Sequence, residues 1–166
     1  MPTYIRLKDG ALVLSEDPFT AVGDEQAVPP GDVIISLSRF QTEGEYLLSE
    51  GRKVGVRLEG HEAVEDLAYD LPQLALVALA FAKFGDGRAY TSARLLRERY
   101  GFTREVRAVG DVLREQVGFM ARAGIDAFEP ADRATVEDLN RVIHRFRHVY
   151  QRSSDGRTPA FVERGE

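Results

Sequence analysis

The residues best placed to do chemistry lie between Lys83 and Asp132. Phe84-Gly85-Asp86-Gly87-Arg88 is a tight turn that ends an apolar run and opens a helical pattern. Gly85 and Gly87 leave the backbone amides unobstructed. The following helix presents its positive end to that turn, so an anion could sit there with Arg88 as a clamp. Gly110-Asp111 repeats the arrangement one unit later. On neighbouring loops, the Asp86 and Asp111 carboxylates could serve as acid and base or chelate Mg²⁺. Lys83, Asp86 and Asp111 are therefore the candidate catalytic groups. Arg88, Arg107, Gly85 and Gly87 are the candidate anion-binding groups, and Arg107 is expected on the same rim or face as Asp86 and Arg88. The plainer alternative is that both aspartates are helix N-caps, a role Asp fills readily.

Other motifs are weaker. GxxxxGK[ST] spacing is missing, and no third glycine completes GxGxxG, so neither phosphate-binding fingerprint is present. No GxSxG elbow or kinase set occurs. His144 and His148 are four apart and could share a metal on a helix, but no third ligand is evident. They read more simply as surface residues near a helix C-terminus. His61 reads as a polar loop residue. No cofactor or metal-ligand set is evident.

These groups need elements to hold them. Tyr4–Leu7 and Ala11–Leu14 flank Lys8-Asp9-Gly10, a hairpin signal. Residues 15–31 carry Asp17-Pro18 and Pro29-Pro30-Gly31 and read as a loop. Strand patterns follow at Val33–Leu37, Val54–Leu58, Leu74–Phe81, Glu105–Val109 and Ile125–Phe128. Helical patterns separate them, with Ser38 as a cap of the first and Gly101 as a stop after the helix that follows Gly87. Thr135-x-x-Asp138 resembles a capping box for a last helix packing through Val136, Leu139, Ile143, Phe146 and Tyr150.

The expected fold is α/β: about five mostly parallel strands alternating with helices, plus an N-terminal β-hairpin. In such a layer, loops after the strands share one rim, where Lys83, Asp86, Arg88, Asp111, Glu129 and Asp132 would gather. The curvature stays open. Val54–Leu58 and Glu105–Val109 alternate, placing Arg57 and Arg107 on a second face. They are either edge strands of an open sheet or part of a partial barrel with helices on one side and Arg57, Arg107 and Asp126 on the other. The expected division is a hairpin and loop over residues 1–31, an α/β domain over 32–150 and a flexible tail over 151–166.

Composition narrows the function classes. The 166 residues suffice for one domain with a real core. The longest wholly apolar run, nine residues from Leu74 to Ala82, is too short to cross a bilayer. The N-terminus lacks the basic and apolar regions of an export signal, so a cytoplasmic protein is expected. With no cysteines, disulfides, thiolate catalysis and cysteine-ligated clusters are excluded. A net charge of −5 argues against nonspecific nucleic-acid binding.

Several segments, in order, carry a resemblance. They are Phe84-x-Asp86-Gly87-Arg88-x-Tyr90, Ala93 through Gly101, Arg107-Ala108-x-Gly110-Asp111-Val112-Leu113, and Gly124-x-Asp126-Ala127-Phe128. Over roughly residues 33–130 the chain resembles a bacterial domain family of unknown function, found mostly in proteobacteria. Its members are labelled oxidoreductases of sulfite reduction because their genes lie beside assimilatory sulfite reductase genes. Two positions depart from the family: Ala82 stands where it usually has Pro, and Ala123 where it usually has Cys. A thiol role is therefore untenable here, and the redox label finds no support in the residues.

The resemblance implies a pathway, assimilation of sulfate to sulfide, with sulfite reductase as a partner. Three functions are consistent with the sequence. The first is an accessory of sulfite reduction that acts by contact with the reductase or by handling a small anion. The second is a non-redox enzyme that binds a small anion through the rim Asp and Arg residues. The third is an interaction module without ligand.

Overall fold

The structure is a computed structural model that describes residues 3–83 and 85–165. Phe84, the first residue of the Phe84-Gly85-Asp86-Gly87-Arg88 motif, lies outside the described residues.

The molecule is a mixed α/β fold on one eight-stranded sheet. The strands are β1 (Thr3–Lys8), β2 (Ala11–Glu16), β3 (Phe19–Ala21), β4 (Asp32–Ser36), β5 (Val54–Leu58), β6 (Leu76–Phe81), β7 (Glu105–Gly110) and β8 (Ala127–Phe128). Their order is β2-β1-β8-β7-β6-β5-β4-β3. The sheet has more strands than the five expected, and its pairing is mixed. Neighbours from β3 to β8 pair in parallel, whereas β1 is antiparallel to both β8 and β2. Two facts explain the difference. The Asp9-Gly10 hairpin does form, with both residues at positive φ, but it adds to the sheet beside β8. Phe19–Ala21, expected as loop, forms an edge strand once Asp17-Pro18 has ended.

The sheet is open but curled. β2 and β3 lie at opposite ends of the strand order, yet only Asp17 and Pro18 separate them in sequence. From Glu16 to Phe19 the chain reaches at most about 11 Å. Across a flat sheet, seven inter-strand spacings would require about 34 Å. The edges must therefore approach each other near Asp17.

Helices α1 (Leu37–Ser49), α2 (Arg88–Arg94, continuing as a wider π-type turn over Leu95–Arg99), α3 (Val117–Arg122) and α4 (Val136–Ile143) cover one face, and α5 (Ala160–Glu163) is held to the segment after α4. Leu37, Phe40, Leu47, Ala93, Leu96, Val117, Met120 and Leu139 share one core with Val33, Val56, Leu79, Val106 and Phe128. The concave face has its own smaller cluster, Ile34, Leu76, Ala78, Ala80 and Val109, drawn from strands alone. This arrangement supports the partial-barrel account of the alternating strands, without closure of the barrel.

Ser36, rather than Ser38, caps α1, its hydroxyl accepting from Arg39 N at 3.2 Å. Gly101 ends the α2 turn at φ +60. The capping box at Thr135 and Asp138 is present, but α4 stops at Ile143, and Phe146 and Tyr150 are exposed rather than packed. Residues 151–165, expected to fray, are docked. Ser153 donates to Arg122 O, Asp155 pairs with Arg122 at 3.0 Å, and Pro159 bridges Val149. Among the described residues, no helix is long and apolar enough to cross a membrane.

Candidate functional site

The loop after β6 holds Asp86 and Arg88 against each other. Arg88 Nε donates to Asp86 Oδ1 at 2.9 Å, and Arg88 Nη2 donates to Oδ2 at 2.7 Å. The same Oδ1 accepts the Arg88 backbone N–H at 3.1 Å. Asp86 therefore closes a local turn just ahead of α2, whose N-cap is Gly87 and has no side-chain cap. These Arg88 hydrogen bonds hold the Asp86 carboxyl at about 2. The pair lies over the β5 loop, where a Cβ on Gly60 would meet Asp86 Oδ2 at 3.1 Å and Arg88 Nε at 3.4 Å. The expected clamp is thus already occupied by its neighbouring carboxylate. Lys83 and Gly85 are exposed on this loop, as is Arg88.

The loop after β7 turns sharply. Gly110 has φ +87, and a Cβ there would lie 2.7 Å from Phe81 O. Only glycine fits without strain. Asp111 N donates to that same oxygen at 2.7 Å, tying this loop to the end of β6. Asp111 caps no helix: the next helical turns, Arg114–Gln116 and then α3, have Leu113 and Gln116 at their N-caps, without side-chain caps. The two aspartates share a rim, but no hydrogen bond joins them, and each loop has its own bonding. Among the described residues, no group of three or more His, Asp or Glu side chains could hold a metal ion.

Arg107 is not on this rim. It sits in mid-strand on the concave face, fully buried. In register beside it are Ala78 of β6 and Ala127 of β8, whose small side chains leave room for a guanidinium. Three carboxylates surround it. Nη1 donates to Asp17 Oδ2 at 2.6 Å and to Glu129 Oε1 at 3.0 Å. Nη2 donates to Asp17 Oδ1 at 3.2 Å, and Nε donates to Glu105 Oε1 at 2.8 Å. The Tyr4 ring lies 4.2 Å from the guanidinium carbon, and its hydroxyl donates to Glu105 Oε2 at 3.1 Å. Burial alone would lower the Arg107 pKa, but the hydrogen bonds it donates to Asp17, Glu105 and Glu129, with the charge of Glu105, outweigh it and the net direction is up. Burial, then Glu105, pushes the Tyr4 hydroxyl up. This arrangement braces the sheet. Asp17 lies on the short link between the two sheet edges, and Arg107 pins that link to the sheet.

The expected meeting of Arg107 with Asp86 and Arg88 does not occur, and the two histidines, read as surface residues, are exposed and engaged separately. His144 bonds Asn140 O and Gly10 O, whereas His148 lies beyond α4 and pairs with Glu163 at 2.6 Å. Of the concave-face trio expected from the alternation, only Arg107 is buried there. Arg57 is exposed and pairs with Glu59 at 2.8 Å. Asp126 meets Arg97 of the helical layer at 3.0 Å and accepts Val106 N–H at 2.8 Å. The residues that sequence reasoning missed are Asp17, Glu105 and Tyr4. The available signal was Asp17 before Pro18, but it reads as turn chemistry, and its partner lies 90 residues away.

The model of the family described as "Bacterial protein of unknown function (DUF934)" matches residues 55–161. The chain belongs to this family. The matched region begins at β5 and runs into α5, so it holds the Asp86 and Asp111 loops together with Arg107, Glu105 and Glu129. Tyr4 and Asp17, the N-terminal half of the brace, lie before it. No curated protein matches the chain.

Proposed function

We propose that this protein is an accessory of assimilatory sulfite reduction that acts by contact with the reductase. The pathway rests on the resemblance of residues 33–130 to proteins encoded beside sulfite reductase genes. The mode of action rests on one observation: the arginines expected to bind an anion are already paired. Arg88 is bound to Asp86, and Arg107 is buried under three carboxylates. An exogenous anion at either arginine would have to displace a carboxylate that is covalently part of the chain. The exposed aromatic residues Tyr46, Tyr69, Phe119, Phe146, Tyr150 and Phe161 instead offer contact area of the kind enriched at protein interfaces.

The experiment is affinity purification of the tagged chain from cells growing on sulfate, paired with thermal-shift screening. The screen covers sulfate, sulfite, nucleotides and Mg²⁺. The reading expects sulfite reductase to co-purify and no compound to raise the melting temperature. A compound that stabilises the free protein, without co-purifying reductase, favours the anion-binding enzyme instead.

A further inference from the structure

The chain carries two exposed surfaces of opposite charge, and each supplies what the other lacks. The first is a groove of about 650 Å³ between α1 and the turn at Leu71–Gln73. Phe40 and Leu48 give it an apolar wall, Glu45 and Asp70 line it, and the Tyr69 ring stands 90 % exposed beside them. No Lys or Arg lines this groove. Among the described residues, neither the Glu45 nor the Asp70 side chain has a hydrogen-bond or ion-pair partner. The surrounding segment, residues 43–70, holds eight acidic residues against three basic ones.

The second surface follows α4. Residues 141–157 hold five arginines against one aspartate, in a chain whose net charge is −5. That aspartate, Asp155, is committed to Arg122. Arg145, Phe146, Arg147 and Tyr150 are all exposed. Arg157 donates to the carbonyls of Phe146 and Arg147 at 2.6 and 2.8 Å, fixing the backbone that displays them. Arg145 lies against the Phe146 ring, 5.5 Å from its centroid. Among the described residues, the Arg145 and Arg147 side chains have no carboxylate partner. An aromatic residue flanked by two free cations is the shape and charge that an apolar groove with carboxylate lips would accept.

We propose that the groove at Tyr69 takes the Arg145-Phe146-Arg147 turn of a second copy of this chain. The contact is heterologous, because two different patches meet. It therefore leads to head-to-tail chains or a closed ring rather than a two-fold dimer. Phe146 enters between Phe40 and Tyr69, while Arg145 and Arg147 face Glu45 and Asp70. The proposal is independent of the sulfite-reduction reading.

Sedimentation of the full chain over a range of concentrations tests it. At low ionic strength the weight-average mass should rise above the 18.5 kDa monomer as concentration increases. At about 1 M salt, where screening acts within about 3 Å, the association should fall away. Arg145→Glu with Arg147→Glu should weaken association at least about tenfold, because like charges then face one another. Glu45→Arg with Asp70→Arg should do the same. A chain carrying all four substitutions should associate again. Glu45, Arg145 and Arg147 are exposed and Asp70 is half-buried, and a melting curve checks that each variant folds. Phe146→Ser, which changes no charge, should weaken association as well. A parent chain that stays monomeric at every concentration overturns the proposal. So does association that survives either reversal, or failure of the four-fold variant to recover it. A groove that binds a different protein while the parent remains monomeric also counts against the second copy.

Discussion

Replacing Arg107 with Met is the sharpest test of how the concave face is held. The substitution keeps an unbranched chain of similar reach between Ala78 and Ala127, but removes the cation. Asp17, Glu105 and Glu129 would then converge on an apolar group. Removing one partner from a buried ion pair typically costs about 3–5 kcal/mol, because the remaining charge is left uncompensated. Asp17 and Glu105 carry most of that cost here, since their side chains are 10 % and 21 % exposed. Glu129, at 43 %, is screened by solvent and contributes least. For a chain of this length each kcal/mol corresponds to about 2–4 °C, so the melting temperature should drop by about 6–20 °C. Asp17→Asn is milder. Its Oδ1 still accepts from Phe19 N, a 3.0 Å bond in the parent, and only one charged contact is lost, costing about 1–3 kcal/mol. The assay is urea unfolding at neutral pH for the two single variants and the double variant. The double variant should lose less than the sum of the singles, because the residues touch. A loss below about 1 kcal/mol for Arg107→Met, or strict additivity, would refute the brace.

Three further outcomes follow from the loops around the sheet. Asp86 titrates at about 2, so whatever stability its ionisation contributes is full above about pH 4 and is lost as pH falls through 2. A carboxyl-carbon NMR titration should show that midpoint. Arg88→Ala should raise it, and an unmoved midpoint would contradict the pair. Gly110→Ala forces a Cβ to 2.7 Å from Phe81 O at φ +87, and should cost more than about 1 kcal/mol in a melting experiment. A silent substitution there would mean that the turn differs. Burial pushes the Asp126 carboxyl up, against the opposing pull of Arg97. Its contribution is therefore greatest below the ordinary Asp range and declines as pH rises through the raised value. Asp126→Asn, which keeps an acceptor for Val106 N–H, should flatten that dependence. Asp126→Ala should cost about 1–3 kcal/mol by stranding the amide, and equal behaviour of the two variants would argue against this role.

What the sequence discloses and what it hides divide along physical lines. Local rules carried the Asp9-Gly10 hairpin, the stop at Gly101, the Thr135 capping box and the positions of β4 to β8, because each depends on a few consecutive residues. The alternation of Glu105-Val106-Arg107-Ala108 also announced that one face of β7 is polar. It could not announce how that polarity is satisfied. Asp17 and Tyr4 reach Arg107 only after β1 has paired with β8 and the sheet has curled, and both steps join parts of the chain that are distant in sequence. The same curling changes the reading of Arg107 from a ligand clamp to a structural group. Asp86 and Arg88 illustrate a different limit. Their spacing of two suits anion binding and self-pairing equally well, and only the side-chain positions in the fold distinguish them. Phe146 and Tyr150 kept helical spacing with the core residues, but α4 ends three residues before the first of them.

Growth of a clean deletion strain with sulfate as the only sulfur source tests the central claim most directly. An accessory of sulfite reduction predicts slow or absent growth on sulfate, rescued by sulfide or cysteine and by the gene restored in trans. Asp86→Asn should complement like the parent, because the charge it removes serves its own loop, chiefly Arg88 and more weakly Lys83. Growth of the deletion strain on sulfate at the parental rate would contradict the account.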